Sequence, residues 1–130
     1  MEPRLDYFSA APEVVRAMVT MQRCVDNLSL ERGLVELVKI RASQLNGCAY
    51  CIHMHSTDAR KHGESEMRLY LLSAWRESPL YSERERAALE WTETLTLIAQ
   101  TQVPDDAYAL LNELFSAQEQ VELTLAITTI

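Results

Sequence analysis

The sequence predicts an all-α chain folded as a single domain over residues 1–130. Three observations carry that reading. Only three glycines and four prolines interrupt 130 residues, apolar side chains recur at three- and four-residue spacing instead of alternating, and the breaks between these runs coincide with helix-capping patterns. A chain of this length removes roughly two-thirds of its unfolded surface from water, so neither a disulfide nor a metal is needed to hold a core. Acidic residues outnumber basic ones by 19 to 12, a net charge of −7, which argues against nucleic acid or an anionic membrane as the main partner. The opening "MEPRLDYFSAAPE" has no apolar segment of signal-peptide length, and no run approaches the ~18 apolar residues of a membrane span. A soluble, cytoplasmic protein is expected.

The first helix is predicted from Pro12, a good first-turn residue, to near Asn27, with Val14, Val15, Met18, Met21 and Val25 as its apolar stripe and Cys24 on the same side as core. Ser29 is read as the cap of a second helix over residues 30–45, whose Leu30, Leu34, Leu37, Val38, Arg41 and Leu45 share one side. Asn46-Gly47 stops it. A third helix begins at about Cys48 and ends at Gly63, with Arg60, Lys61 and His62 suiting the negative end of its dipole. Ser65 opens a fourth, rich in large apolar residues (Met67, Leu69, Tyr70, Leu71, Leu72, Trp75) that should be buried or lie at a subunit contact, until "RESPLYS" breaks it.

Ser82-Glu83-Arg84-Glu85 is a capping-box pattern, and Ala88, Trp91, Leu95 and Ile98 carry a regular spacing toward Gln102. The run "SERERAALE" reads as a solvated face with local ion pairs. After the turn at Pro104-Asp105, residues 106–115 form a short helix, and Ser116 with Glu119 caps "VELTLAITTI", a final apolar helix expected to continue or to pack against a neighbour. The simplest architecture is a bundle of six or seven helices.

The chemistry concentrates in "NGCAYCIHMH", residues 46–55. The Asn46-Gly47 break puts Cys48 and Cys51 in the first turn of a helix, where free N–H groups and the positive dipole end favour a thiolate. Cys51 and His55, one turn apart, share a face, so the imidazole can exchange a proton with the sulfur. Glu36 lies among apolar neighbours on the preceding helix, partly inward, where a carboxylate needs a partner. His55 is a candidate. His53 and His62 read as exposed. The functional reading is a thiol-disulfide pair with a proton relay. Two alternatives stay open: a helix start whose small cysteines only pack, and a zinc site, for which Cys-x-x-Cys-x-x-x-His offers three ligands without a convincing fourth among Cys24, His53, His62 or a carboxylate.

Residues 36–98, with Glu36, "IRASQLNGC", Cys48, Cys51, His55 and Gly63 in register, resemble the core of the AhpD-like alkylhydroperoxidase family, within the carboxymuconolactone decarboxylase superfamily. The resemblance implies an AhpD-like helical bundle assembled into a homo-oligomer (dimer, trimer or hexamer). It also implies hydroperoxide reduction in which Cys51 attacks after losing its proton through His55 and Glu36, Cys48 resolves the sulfenic acid, and a dithiol or lipoyl-type donor reduces the disulfide. That scheme requires no cofactor and no metal. Peroxidase-type members carry a second histidine between the cysteines where this chain has Tyr50, so the implied relay has one member fewer or uses the Tyr50 phenol as an accessory group. Two rival functions accompany this reading. One is a zinc-stabilised, non-catalytic helical module that binds a partner. The other is an enzyme acting on a small lactone or keto acid, with Glu36 and His55 as proton carriers.

Overall fold

Capping residues and two left-handed glycines divide the chain. The computed structural model describes residues 4–130, so the first three residues of the N-terminal stretch read above lie outside the described residues. Its elements are α1 (Tyr7–Ala10), α2 (Pro12–Val25), α3 (Arg32–Leu45), α4 (Ala49–Lys61), α5 (Glu66–Leu71) running into a 3₁₀ turn (Leu72–Ala74), α6 (Glu83–Thr96), α7 (Ile98–Thr101), α8 (Asp105–Leu114) and α9 (Ala117–Thr128). The seven longer helices are those the spacing predicts; the single-turn α1 and α7 bring the number to nine among the described residues.

Both capping boxes form, with Ser82 and Ser116 accepting from the backbone N–H of Glu85 and Glu119 while those carboxylates accept in return. Ser65 caps α5 by accepting from the Arg68 N–H, without a reciprocal side-chain bond from that arginine. Ser29 does not cap α3. That helix starts at Arg32 behind Glu31, and Ser29 instead donates its N–H and hydroxyl to the Glu122 carboxylate at 3.0 and 2.7 Å, tying the α2–α3 loop to α9. The long helix read toward Gln102 stops at Thr96. Leu97 leaves helical geometry, α7 restarts for one turn, and Gln102 and Val103 both take positive φ (53° and 51°), so Ile98 turns out to solvent.

α3 is the central element, buried on two sides. Leu34, Val35 and Val38 join Ala88 and Trp91 of α6, Leu111 and Phe115 of the α8 end, and Leu123 and Ile127 of α9. Leu37 and Ile40 face a second cluster with Ala59, Leu69, Leu72, Trp75, Tyr81 and Leu89. The stripe expected on α2 is largely uncovered: among its large apolar residues only Val25 is buried, and Val14, Met18 and Met21 are exposed. Cys24, expected in the core, is exposed as well, and Val25 is the one α2 residue that joins the core clusters among the described residues. The α5 segment splits by face, with Leu69, Leu72 and Trp75 buried and Met67 and Tyr70 exposed.

The arginines of "SERERAALE" do more than pair locally. Arg84 reaches Glu31 and Glu119 and lies over the Phe115 ring at 4.0 Å, Arg68 reaches Glu85 at 2.5 Å, and Arg86 donates to the carbonyls of Trp75 and Ser78. Long, planar guanidinium groups span gaps between helices that a local i, i+4 pair cannot. Among the described residues no helix is long and apolar enough to cross a membrane.

Candidate active site

The junction of α3 and α4 is built by one backbone device. Gly47 takes φ +65°, and the N–H groups of Gly47 and Cys48 donate back to the carbonyls of Gln44 and Ser43 at 3.2 and 3.0 Å, the paired bonds of a Schellman motif. Cys48 is therefore the last residue of that motif and at once the N-cap of α4, where its Sγ accepts from the Cys51 N–H at 3.3 Å. With only Asn46 and Gly47 between helix α3 and that cap, the cysteines have a fixed register relative to the α3 side chains. Cys48 and Cys51 are joined as a disulfide with a Cα–Cα distance of 5.4 Å. Gly63, at φ +92°, ends α4 by the same paired bonds, Gly63 N–H to Arg60 and Glu64 N–H to Ala59, both at 3.0 Å.

One turn after Cys51, His55 is buried, and its Nδ1 lies 3.1 Å from Oε2 of Glu36, itself only 8% exposed. A proton on Nδ1, donated to that carboxylate, leaves the lone pair on Nε2. Packing of α4 on α3 makes the contact across nineteen residues of sequence. Both members of the pair line an open cleft of about 650 Å³, together with Cys51. Its other walls come from the end of α2, the α2–α3 loop, Met54 and Asp58 of α4, and the last residues of the chain. Glu36 also borders a smaller cavity of about 160 Å³ on the side of Gly33, His62 and Arg68, so the carboxylate sits in the wall between the two.

His53 is exposed. His62 caps the end of α4, donating from Nδ1 to the Asp58 carbonyl at 2.6 Å. Tyr50 is 73% exposed and does not line the cleft. The hydrogen bond from Lys61 holds the Asp58 carboxyl below its ordinary range, so it borders the cleft as a carboxylate. Among the described residues no three His, Cys, Asp or Glu side chains converge as a metal-binding group.

The sequence reading missed two cations. Lys39, 4% exposed, and Arg32 line the cleft beside Glu36. The signal was present, since residues 32, 36 and 39 fall at i, i+4 and i+7 and so share one face of α3. Behind this face Arg41 fixes α3 to α6 through Glu93, with N···O distances of 2.8 Å, and Glu93 also accepts from the Trp75 indole at 2.8 Å. Burial pushes the Glu93 carboxyl up, but the hydrogen bonds from Trp75, Arg76 and Arg41 outweigh it and hold the group below its ordinary value.

Residues 12–94 match the carboxymuconolactone decarboxylase family. The chain is 45% identical over 130 residues to YdfG, an uncharacterised protein of Bacillus subtilis strain 168, covering 100% of this chain and 88% of that one. A crystal structure of an Agrobacterium tumefaciens protein of unknown function, provisionally named there as an antioxidant defence protein AhpD, superposes with a TM-score of 0.92 at 43% identity, over 98% of this chain and 88% of that chain. The debrominase Bmp8 shares the fold at 20% identity, with a TM-score of 0.83 over 94% of this chain and 66% of that one. With the helical order, the central α3–α4 unit and these likenesses together, the chain belongs to the carboxymuconolactone decarboxylase family, on its AhpD-like side.

Proposed function

We propose that this protein is a thiol-dependent hydroperoxide reductase of the cytoplasm, with Cys51 as nucleophile, Cys48 as resolving thiol, His55 as base and Glu36 as the residue that orients and charges the imidazole. The observation that carries the reading is the buried His55–Glu36 pair opening on the same cleft as Cys51. In the reduced protein, Nε2 of His55 takes the Cys51 proton. The thiolate attacks the outer peroxide oxygen, the O–O bond breaks, and the departing alkoxide takes the proton back from His55, leaving Cys51 as a sulfenic acid. The Cys48 thiol then attacks that sulfur, forming the disulfide and releasing water. A dithiol such as a reduced, dihydrolipoyl group restores both thiols by exchange and leaves as its own disulfide. Assembly as a homo-oligomer, whether dimer, trimer or hexamer, is part of the proposal and is supported by the uncovered apolar residues of α2 and α5.

The test is mass spectrometry of the thiols before and after one equivalent of hydroperoxide. Reduced protein is expected to lose the Cys48 and Cys51 thiols together into one linked peptide while Cys24 stays free. Cys51→Ser should abolish peroxide consumption, Cys48→Ser should leave a sulfenic acid that dimedone traps, and Glu36→Gln should slow consumption by about 10²-fold, the scale of a lost acid–base contribution. Unchanged thiol counts after peroxide would end the proposal.

A further inference from the structure

We infer that the cleft is a binding site for an apolar molecule bearing a carboxylate, with Lys39 as the residue that receives the anionic group and Arg32 as its helper at the rim. Lys39 is the least exposed charged side chain bordering the cleft, yet it is weakly held. Its one hydrogen-bonded side-chain partner among the described residues is Oδ1 of Asp26, at a long 3.4 Å, and that oxygen is shared with the Gln22 amide at 3.3 Å. An ammonium has three donors, so donors remain on a cation that is buried but borders an open cavity. A buried charge with unused donors is costly unless something completes its shell.

The other charges of the cleft leave that task to a ligand. Glu36 is engaged by His55 and Asp58 by Lys61 at 2.9 Å, while Arg32 is exposed and has no carboxylate partner among the described residues. Val25, Leu28, Leu30, Val35 and Met54 give the cleft an apolar side, with the polar Gln22 and Thr129 also on its walls. A volume of about 650 Å³ lies within the range of small-molecule sites, where apolar walls supply affinity and a few polar groups fix orientation. Such a ligand would place its carboxylate on α3 at Lys39 and extend its apolar part past Cys51.

The consequence for substrate choice rests on the peroxidase proposal, whereas the binding site does not. If both hold, the preferred hydroperoxide carries a carboxylate. The binding arm uses octanoate and 1-octanol, followed by NMR titration of the whole chain. Octanoate is expected to bind at least about tenfold more tightly, a gap worth about 1.4 kcal/mol. Lys39→Met should close that gap without weakening 1-octanol, Lys39→Arg should keep most of it, and Arg32→Gln, on an exposed residue that carries no folding risk, should narrow it.

Equal affinities for octanoate and 1-octanol in the unaltered protein overturn the inference, as does a gap that survives in folded Lys39→Met. Should Lys39→Met fail to fold, a gap insensitive to both Arg32→Gln and added salt overturns it instead. The turnover arm compares a fatty-acid hydroperoxide with its methyl ester. Turnover of neither defeats the peroxidase proposal and leaves the site to the binding arm. Equal turnover of both defeats the substrate inference and leaves the peroxidase proposal standing.

Discussion

Helices α2 and α3 are each fourteen residues long, and they use their sequences in opposite ways. α2 has the cleaner apolar stripe, but Val14, Met18 and Met21 on it are 67%, 53% and 37% exposed. In α3 the apolar pattern is interrupted by Glu36, Lys39 and Ser43, and all three are buried with it. A stripe measures how much surface needs cover, without saying that the same chain provides the cover. Interruptions carry the other kind of information. A charge kept inside a central helix has to be held by a partner, and here the partners are His55 and Asp26 across the cleft.

The largest effect that could break this contrast is on stability. Leu37 is fully buried at the α3 centre, so Leu37→Ala should cost about 2–5 kcal/mol in urea unfolding, whereas Met18→Ala on α2 should stay within about 0.5 kcal/mol, as surface substitutions do. Both are to be measured at low protein concentration. A Met18→Ala loss that matches Leu37→Ala, and that grows with protein concentration, would mean that a second copy covers the α2 stripe and that the two helices are alike in the assembled protein.

A smaller effect separates the ion pairs of the two helices. Arg41 of α3 meets Glu93 with side chains 13% and 17% exposed, while Arg16 and Glu13 of α2 pair at 68% and 80% exposure. Because the folded Glu93 carboxyl lies below its ordinary value of 4.5, its contribution is fully present above that pH and is lost as pH falls through the lower folded value. Glu93→Gln should therefore cost about 1–3 kcal/mol near neutrality, as for hydrogen bonds to a charged group, and flatten the decline in stability below about pH 4.5. Glu13→Gln, in an exposed pair, should change stability near neutrality by no more than about 0.5 kcal/mol. Acid unfolding followed by circular dichroism reads both, and an unaltered acid limb in Glu93→Gln would contradict the anchoring role given to Arg41.

Much of this contrast was legible in the residues themselves. Gly47 and Gly63 announce the ends of α3 and α4 because their positive φ is the conformation that a Schellman cap requires, and the i, i+4 relation of Cys51 to His55 follows from helix geometry alone. The Glu36 partner was nameable because a carboxylate among Leu34, Val35, Leu37 and Val38 has few ways to be satisfied. What escaped was tertiary. Ser29 has the chemistry of a cap but was taken by Glu122, ninety-three residues away. Cys24 and the α2 stripe share an apolar helix, and no local signal says that the core cluster of α3, α6, α8 and α9 takes only Val25 from it. Lys39 was overlooked because a lysine is ordinarily a surface residue, and only the packing of α4 on α3 leaves its ammonium beneath the cleft.

Tyr50 should give the smallest effect and the most specific one. It stands where peroxidase-type relatives carry a second histidine, but it precedes Cys51 by one residue, which turns it about 100° around α4, and its ring is 73% exposed. The proposed proton route runs the other way, inward from Cys51 through His55 to Glu36 on α3. Tyr50→Phe removes only the hydroxyl and should leave peroxide consumption within about twofold of the unaltered rate, far from the 10²-fold or more that a working acid–base group contributes. A loss on that larger scale, with an unchanged unfolding midpoint, would bring the phenol into the cleft of the reduced protein. The relay would then belong to the first turn of α4 as much as to α3, and the buried charges of α3 would have to be explained by ligand binding at Lys39 alone.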